Sequence, residues 1–400
     1  MRKMLSGILI SVLSLIPSAR AGQEAKPEQP APRHRFLNLS LYYPVSLNRS
    51  KLDTVNLNLS LLYGHVGSVR GLDLSLGAAG IEGSLKGIQL AGLIAAAGES
   101  MEGGQAAGLI CAAGDKGEGV QWAGLGSVSG EEFTGLQVAG LFAVAGERLK
   151  GVQVSGLFSV AGQAANGFQV SGLFSVAGED LDGIQVAGLF NVAGEDSRAL
   201  QVAGLMNVTG GTCRGLQVGL FNVAGRLTGV QVGLVNVAEE IEGLPVGLVN
   251  LTRKEDRRIQ MAAWAGSVSL VNAGVKIWAK RFYSILYAGG INLPQSVGDC
   301  LGYGFQYGYT FPLRSSGGGG ARKRIDIDAG YLYLDNSTLF RHLKGTPDRH
   351  VLSARGALAI ELSPRVSLVA GVGLGYRIDY GTSFSGGSLS PLAFAGVELF

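Results

Sequence analysis

The residues able to do chemistry are scattered and few. The four histidines, His34, His65, His342 and His350, show no ligand spacing with cysteines or carboxylates, so no metal site is expected. Cys111, Cys213 and Cys300 are odd in number and lack a CxxC pair, which argues against a disulfide framework or a redox motif. Gly371-Val-Gly373-Leu-Gly375 has the opening of a dinucleotide fingerprint. It lies inside an alternating strand with no helix to follow, so a structural role is expected. No G-x-S-x-G elbow occurs, and the repeats lack the G-G-x-G-x-D loops of calcium-binding β-rolls. Gly317 to Gly320 followed by Arg322-Lys323-Arg324 reads as a loop carrying a basic cluster, and His342, Asp348 and His350 as part of another loop. Catalytic residues, cofactors and metals are therefore expected to be absent, and the chain is read as non-enzymatic.

One polar set is regular. Gln89, Gln105, Gln121, Gln137, Gln153, Gln169, Gln185, Gln201, Gln217 and Gln231 form a column that either faces a ligand or is a ladder holding stacking register. What positions that column is a tandem repeat. Gly71, Gly87, Gly103, Gly119, Gly135, Gly151, Gly167, Gly183, Ala199 and Gly215 are each 16 residues apart, and the period becomes 14 through Gly229 and Gly243. The unit reads G-[VIL]-Q-V-[AS]-G-L-F-[NS]-V-A-G plus four variable residues, with strand-favouring residues separated by Gly and Ala.

Such a short unit cannot bury an apolar face alone, but stacked copies can. Every unit carries the same type of turn, which favours parallel solenoid coils over an antiparallel meander. The 14-residue units shorten V-A-G-L to V-G-L. In a continuous strand that loss would invert all later side chains. A corner at the mid-unit Gly avoids the inversion, and a second corner is expected at the Ala-Gly before the variable loop. A dozen coils at about 4.8 Å spacing span roughly 55 Å, and Cys111 and Cys213 should lie about 30 Å apart. The expected core ladder is the two Val flanking Gln together with the Phe and Val of the second strand.

The ends differ from the middle. Arg2 and Lys3, the apolar run Met4 to Ile16 and Ala19-Arg20-Ala21 have the form of a signal peptide over 1–21. A Pro-containing linker is expected over 22–35, lead-in strands over 36–70, the solenoid over 71–252 and an antiparallel barrel-like module over 253–400. Beyond the signal no apolar run is long enough for a membrane helix. The chain holds 64 Gly in 400 residues, with 16% charged and 46% hydrophobic residues and a net charge of +3, which gives no reason to expect a nucleic-acid partner.

After the repeats, about eight longer strands alternate. Leu301 to Phe311 place aromatics on one face and mostly Gly on the other, and Ile325 to Tyr333 oppose Asp326 and Asp328. An apolar face with aromatics near its ends matches a lipid-facing barrel strand, and the final Phe400 fits that type. Glu398, in register with Phe400, speaks against it. Asp326, Asp328, Arg355, Glu361, Arg377 and Asp379 are candidates for an ion-pair network inside a small barrel. Phe36 to Val45 and Val55 to Tyr63 are candidates for two further barrel strands.

The units GLQVGLFNVAGRLTG at Gly215 and GVQVGLVNVAEEIEG at Gly229 resemble the bacterial surface repeat-containing proteins built from G-L-Q-[LV]-G-L-V-N-V-A copies, as do the lead-in strands LYYPV and VNLNLSLLYG. The resemblance covers roughly Phe36 to Leu251 and implies a surface location without an assigned activity. The 16-residue form and the long final region depart from it. The resulting expectation is an exported all-β protein of the outer membrane or cell surface, with a periplasmic or secreted site as the alternative. Its role would be structural or adhesive, and its partners outer-membrane lipid and a host or envelope protein or polysaccharide. The competing reading is a porin-like channel to which the repeats contribute strands.

Overall fold

The computed structural model describes residues 33–47, 52–253, 259–290, 301–313, 321–335, 348–380 and 385–399. The expected signal peptide and nearly all of the expected linker lie outside these residues, as do Cys300, His342, Gly317 to Gly320 and Phe400. Every regular element described is a strand. The fold is a β-solenoid of about 13 turns followed by a closed eight-stranded antiparallel barrel. The chain divides into two compact units between Gly219 and Leu220.

In the first unit each 16-residue coil has one long and one short strand. Arg148–Ser155 and Phe158–Ala161 are a representative pair, with bends at Gly156-Leu157 and after Ala161. Successive coils pair in parallel and in register, Gly151 with Gly167, Gln153 with Gln169 and Phe158 with Phe174. Both expected corners are present. His34–Tyr42 and Thr54–Val66 are parallel-paired coil strands, not barrel strands, which corrects the expectation for the lead-in segment. They stack because Leu37, Asn38 and Leu39 occupy the same coil places as Leu57, Asn58 and Leu59.

The expected core is partly turned over: the second-strand valines Val128, Val144, Val160 and Val176 are buried as expected, with Phe142 and Phe158 packed against them, but the valines beside the glutamines are not buried. Val154, Val170 and Val186 beside the glutamines are 36–38% exposed, while nine of the ten column glutamines are 0% exposed and Gln105 is 2%. Alternation in V-Q-V is symmetric about the two faces, so hydrophobicity alone cannot choose between them. The choice falls to the rest of the coil. Leu85, Met101, Phe133, Leu149 and Leu181, one residue before the variable loop ends, stack inward against Ala97, Ala113, Ala145, Ala161, Ala177 and Ala193. Gln shares its face with these and with the small Ala or Ser two positions later, as at Ser155. The exterior is left with Leu, Val and Phe, including Phe142, Phe158 and Phe174 stacked at 5.6 and 5.2 Å.

Glycine is required at two kinds of place. Gly71 to Gly183 at the repeat start have φ between 120° and 147°, kinking the long strand in a region that L-residues avoid. At the mid-unit corner a Cβ on Gly156 would lie 2.0 Å from the Gly140 carbonyl oxygen one coil away, so the stacking distance itself excludes a side chain. No kink of this kind follows Gly183: Ala199 replaces the glycine, and the coils shorten soon afterwards.

The second unit holds the last coils, with Phe221–Leu227, Val230–Ile241 and Leu244–Thr252 in parallel pairs, and the barrel. Its eight strands are Ile259–Gly266, Val271–Ala279, Phe282–Gly290, Leu301–Leu313, Lys323–Asp335, Asp348–Ser363, Val366–Tyr380 and Ser385–Leu399, and the first pairs with the last to close it. The repeats contribute no barrel strand, contrary to the channel reading. His350 and the basic pair Lys323 and Arg324 lie in strands and not in loops.

The final coil is capped by side chains of the barrel wall. Ser284, on the face of its strand opposite the inward Tyr283, donates to the Gly247 carbonyl at 3.1 Å and accepts from Asn250 at 3.3 Å. Tyr307 donates to the Pro245 carbonyl and Lys280 to the Ile241 carbonyl at 2.8 Å. A terminal coil otherwise presents open backbone carbonyls, and these contacts occupy several of them.

Candidate functional site

The glutamine column forms a hydrogen-bonded ladder inside the first unit. Each Gln Nε2 donates to the Oε1 of the Gln one coil earlier at 2.8 to 2.9 Å, from Gln217 back to Gln89. Several also donate to a backbone carbonyl, as Gln153 does to Val160 at 3.3 Å. Buried amides are tolerated when satisfied in this way. The column therefore offers no ligand-facing surface.

The ladder ends on Asp73, which stands where the other coils have Gln. Gln89 donates to its Oδ2 at 3.0 Å and Asn58 to its Oδ1 at 2.7 Å, while Asn38 donates to Asn58 at 2.8 Å. Two donor chains thus converge on the one group in the column that only accepts. Burial is the largest influence on Asp73 and pushes its carboxyl up to about 6 against the lowering effect of the Gln89 and Asn58 donors.

A second ladder runs the opposite way. Asn191 Nδ2 donates forward to Asn207 Oδ1 at 3.0 Å, and in the second unit Asn222 donates to Asn236 and Asn236 to Asn250 at 2.9 and 2.8 Å. Each of these donors also reaches a backbone carbonyl of the following coil, such as Val202 or Val246. Earlier coils carry Ser at this place, where Ser155 and Ser159, and Ser171 and Ser175, bond to each other. The opposed amide dipoles of the two ladders partly cancel.

The other chemistry-bearing groups of the first unit are a surface cluster and two thiols. His65 Nε2 lies 2.9 Å from Glu82 and Nδ1 lies 3.0 Å from the Tyr63 hydroxyl. Burial, the Glu82 charge and Tyr43 all raise the Tyr63 pKa. Cys111 and Cys213 are buried and not joined in a disulfide. Burial pushes the Cys111 thiol up to about 12 and raises that of Cys213.

The barrel lumen is filled by two sets of charges. Lys276 donates to Asp326 at 2.7 Å and Glu398 at 2.8 Å, and Arg324 donates to the same two carboxylates. Arg355 donates to both oxygens of Asp328 at 2.7 and 3.1 Å, and Tyr283 adds a third donor at 2.9 Å. Aromatic rings enclose them: Lys276 lies 3.9 Å from the Tyr283 ring centre, and Arg355 lies 4.6 Å from that of Phe394. Each ion is fully paired, as burial requires.

Of the six charges expected in this network, Asp326, Asp328 and Arg355 take part, Glu361 is half-buried and Arg377 is exposed. The Asp379 side chain lies outside the described residues. Lys276, Arg324 and Glu398 were not anticipated. Glu398 points inward and is 4% exposed, so it completes the lumen and does not count against a barrel. The cavity among these charges is about 30 Å³ and one beside Arg355 about 50 Å³, room for a water or two, while a wider one of about 250 Å³ lies beside Arg324, Trp278 and Thr310.

A groove of about 1040 Å³ lies on the outside of the earliest coils of the first unit. One wall is the in-register row Leu39, Leu59, Leu74 and Leu90, which continues through Ala106 to Trp122. The other wall is Leu41, Leu61 and Leu76, standing where later coils have Gly92, Gly108 and Gly124. The signal that could have found it is a departure from the repeat: Leu in place of the corner Gly.

No protein-family model, no curated protein and no solved structure matches this chain.

Proposed function

We propose that this chain is a non-enzymatic envelope protein in which the barrel is an outer-membrane anchor, not a pore, and the solenoid is an interaction scaffold. The observation that carries the reading is the inversion of polarity across the barrel wall. Outside are Met261, Ile327, Leu352, Val372 and Leu374, all more than half exposed, while the lumen holds the paired charges. Two aromatic groups lie near opposite ends of the wall, Phe282, Tyr309 and Phe311 at one end and Tyr303 with Tyr333 at the other. Aromatic girdles flanking an apolar band about 25 Å tall are the signature of outer-membrane barrels. The resemblance of the repeats to bacterial surface repeat proteins supports an envelope location. A scaffold role toward an envelope protein or polysaccharide is the reading for the coils.

Strand connections also suggest a side. The end where Leu244–Thr252 abuts the barrel has the two-residue turns Ala279 to Phe282 and Ser363 to Val366 and the nine-residue connection Leu313 to Lys323, while the connections at the other end run from four residues, as at Gly266 to Val271, to twelve at Asp335 to Asp348. Short turns are periplasmic in this class, so the coils in residues 221–252 are assigned to the periplasmic side.

Two measurements test the proposal. Purified protein in planar bilayers should show no stepwise conductance; steady channel opening would overturn the anchor reading. A Glu242→Cys variant carrying Cys300→Ser should react with a membrane-impermeant maleimide only after cells are permeabilised. Labelling of intact cells would place these coils outside and reverse the assigned side.

A further inference from the structure

We propose that the groove of the first unit binds a single acyl chain of a membrane lipid. The groove is apolar: its walls are leucines closed at one end by Trp122, its floor is Ser, Ala and Gly, and no charged side chain lines it. Paired strands about 4.8 Å apart make the five spacings from Leu39 to Trp122 about 24 Å long. Half of the ~30 Å hydrocarbon core of a bilayer is the length of one acyl chain, about 15 Å, so a chain fits with length to spare at one end.

Backbone chemistry separates this occupant from a peptide. The strands beneath the groove are paired to their neighbours on both sides from Thr54–Val66 to Lys116–Ala123. Their N–H and C=O groups are already used, and the first lining strand, His34–Tyr42, is paired with Thr54–Val66 on one side and, at Ser40 and Tyr42, with Val45–Ser46 on the other. An extended peptide laid in the groove would bury its own backbone polar groups against leucine with no partners, whereas a hydrocarbon chain has none to satisfy. The leucine wall is also local. Coils from Gly92 onward have Gly at the corner, and there the second wall ends.

The test uses the full chain held in amphipol and titrated with a dibrominated stearic acid, whose bromines quench nearby tryptophan. Trp122 is 65% exposed, whereas Trp278 in the lumen is 6% exposed. Saturable quenching is expected at about one fatty acid per chain, and Trp122→Phe should remove it. Leu61→Asp and Leu76→Asp should weaken the apparent affinity at least tenfold, while Leu157→Asp, a leucine on a later coil that does not line the groove, should leave it unchanged. Should the aspartate variants misfold by circular dichroism, Ala106→Trp fills the gap in the wall without adding charge and should block quenching equally. Linear, non-saturating quenching, or equal effects of Leu76→Asp and Leu157→Asp, would overturn the proposal. So would quenching that appears only after residues 1–32 are deleted, since the occupant would then be this chain's own apolar segment.

Discussion

At the scale of single residues, Asp73 decides the direction of the glutamine ladder. Its two oxygens face amide donors from both sides. An asparagine there has one oxygen and one N–H₂, so one incoming donor would meet another donor. The ladder cannot reverse cheaply, because several Nε2 groups also bond backbone carbonyls. Asp73→Asn is therefore expected to cost on the order of 1 to 3 kcal/mol at pH 7.

The pH dependence follows from the raised carboxyl. The folded state holds its proton more tightly than the unfolded state does, so between the ordinary aspartate value of 3.8 and about 6 the folded state binds more protons. Stability from this group then falls as pH rises through that window, by up to about 3 kcal/mol. Urea midpoints of wild type and Asp73→Asn between pH 4 and 7 should show this slope only in the wild type. A parallel pH profile in the two proteins would remove Asp73 as its source.

At the scale of the element, a coil is held by columns, and a column fails at one missing member. Gln169→Ala removes the donor to the Gln153 Oε1 and the acceptor for the Gln185 Nε2, orphaning the Gln153 oxygen and leaving Gln185 only its 3.4 Å bond to the Val192 carbonyl. At about 1 to 3 kcal/mol for an orphaned buried group, a loss of at least that size is expected, more than an exposed truncation such as Val170→Ala. The corner glycines act through space: Gly156→Ala forces the coils apart at a 2.0 Å approach to a carbonyl oxygen. Cross-coil ion pairs on the rim, such as Lys86 with Glu102 at 2.9 Å, are half exposed on both sides and contribute little by comparison. Amide exchange along the coils would rank these: protection should drop around residue 169 in the glutamine variant and stay near wild type when the rim pair is removed.

At the scale of the whole molecule, the chain combines two ways of hiding polarity. The solenoid of the first unit keeps satisfied amides inside and aliphatic residues outside, and the barrel keeps paired charges inside and aliphatic residues outside. The barrel's lumen is the more fragile of the two, because removing one ion strands others that are almost fully buried. Lys276→Met leaves Asp326 and Glu398 sharing Arg324 alone, and a loss of about 3 to 5 kcal/mol is expected. The heat-modified shift of the barrel on SDS gels should move to markedly lower temperature. An unchanged shift would mean that the lumen charges do not hold the barrel closed.

Period and alternation, local properties of the chain, were enough to determine the repeating coil, its two corners, the eight terminal strands and the apolar face of those strands. The switch from 16 to 14 residues located the corner because losing one residue from a strand has a consequence that can be read without coordinates. Which side of V-Q-V faces inward was not legible, since alternation is blind to the sign of a face. Only stacking decided it, by placing Leu149 and Ala161 on the side where Gln153 could reach the next glutamine. The membership of Lys276, Arg324 and Glu398 in one network, and the capping of the last coil by Ser284, depend on strands far apart in sequence closing on one another. No local pattern carries that information, and tertiary structure alone supplied it.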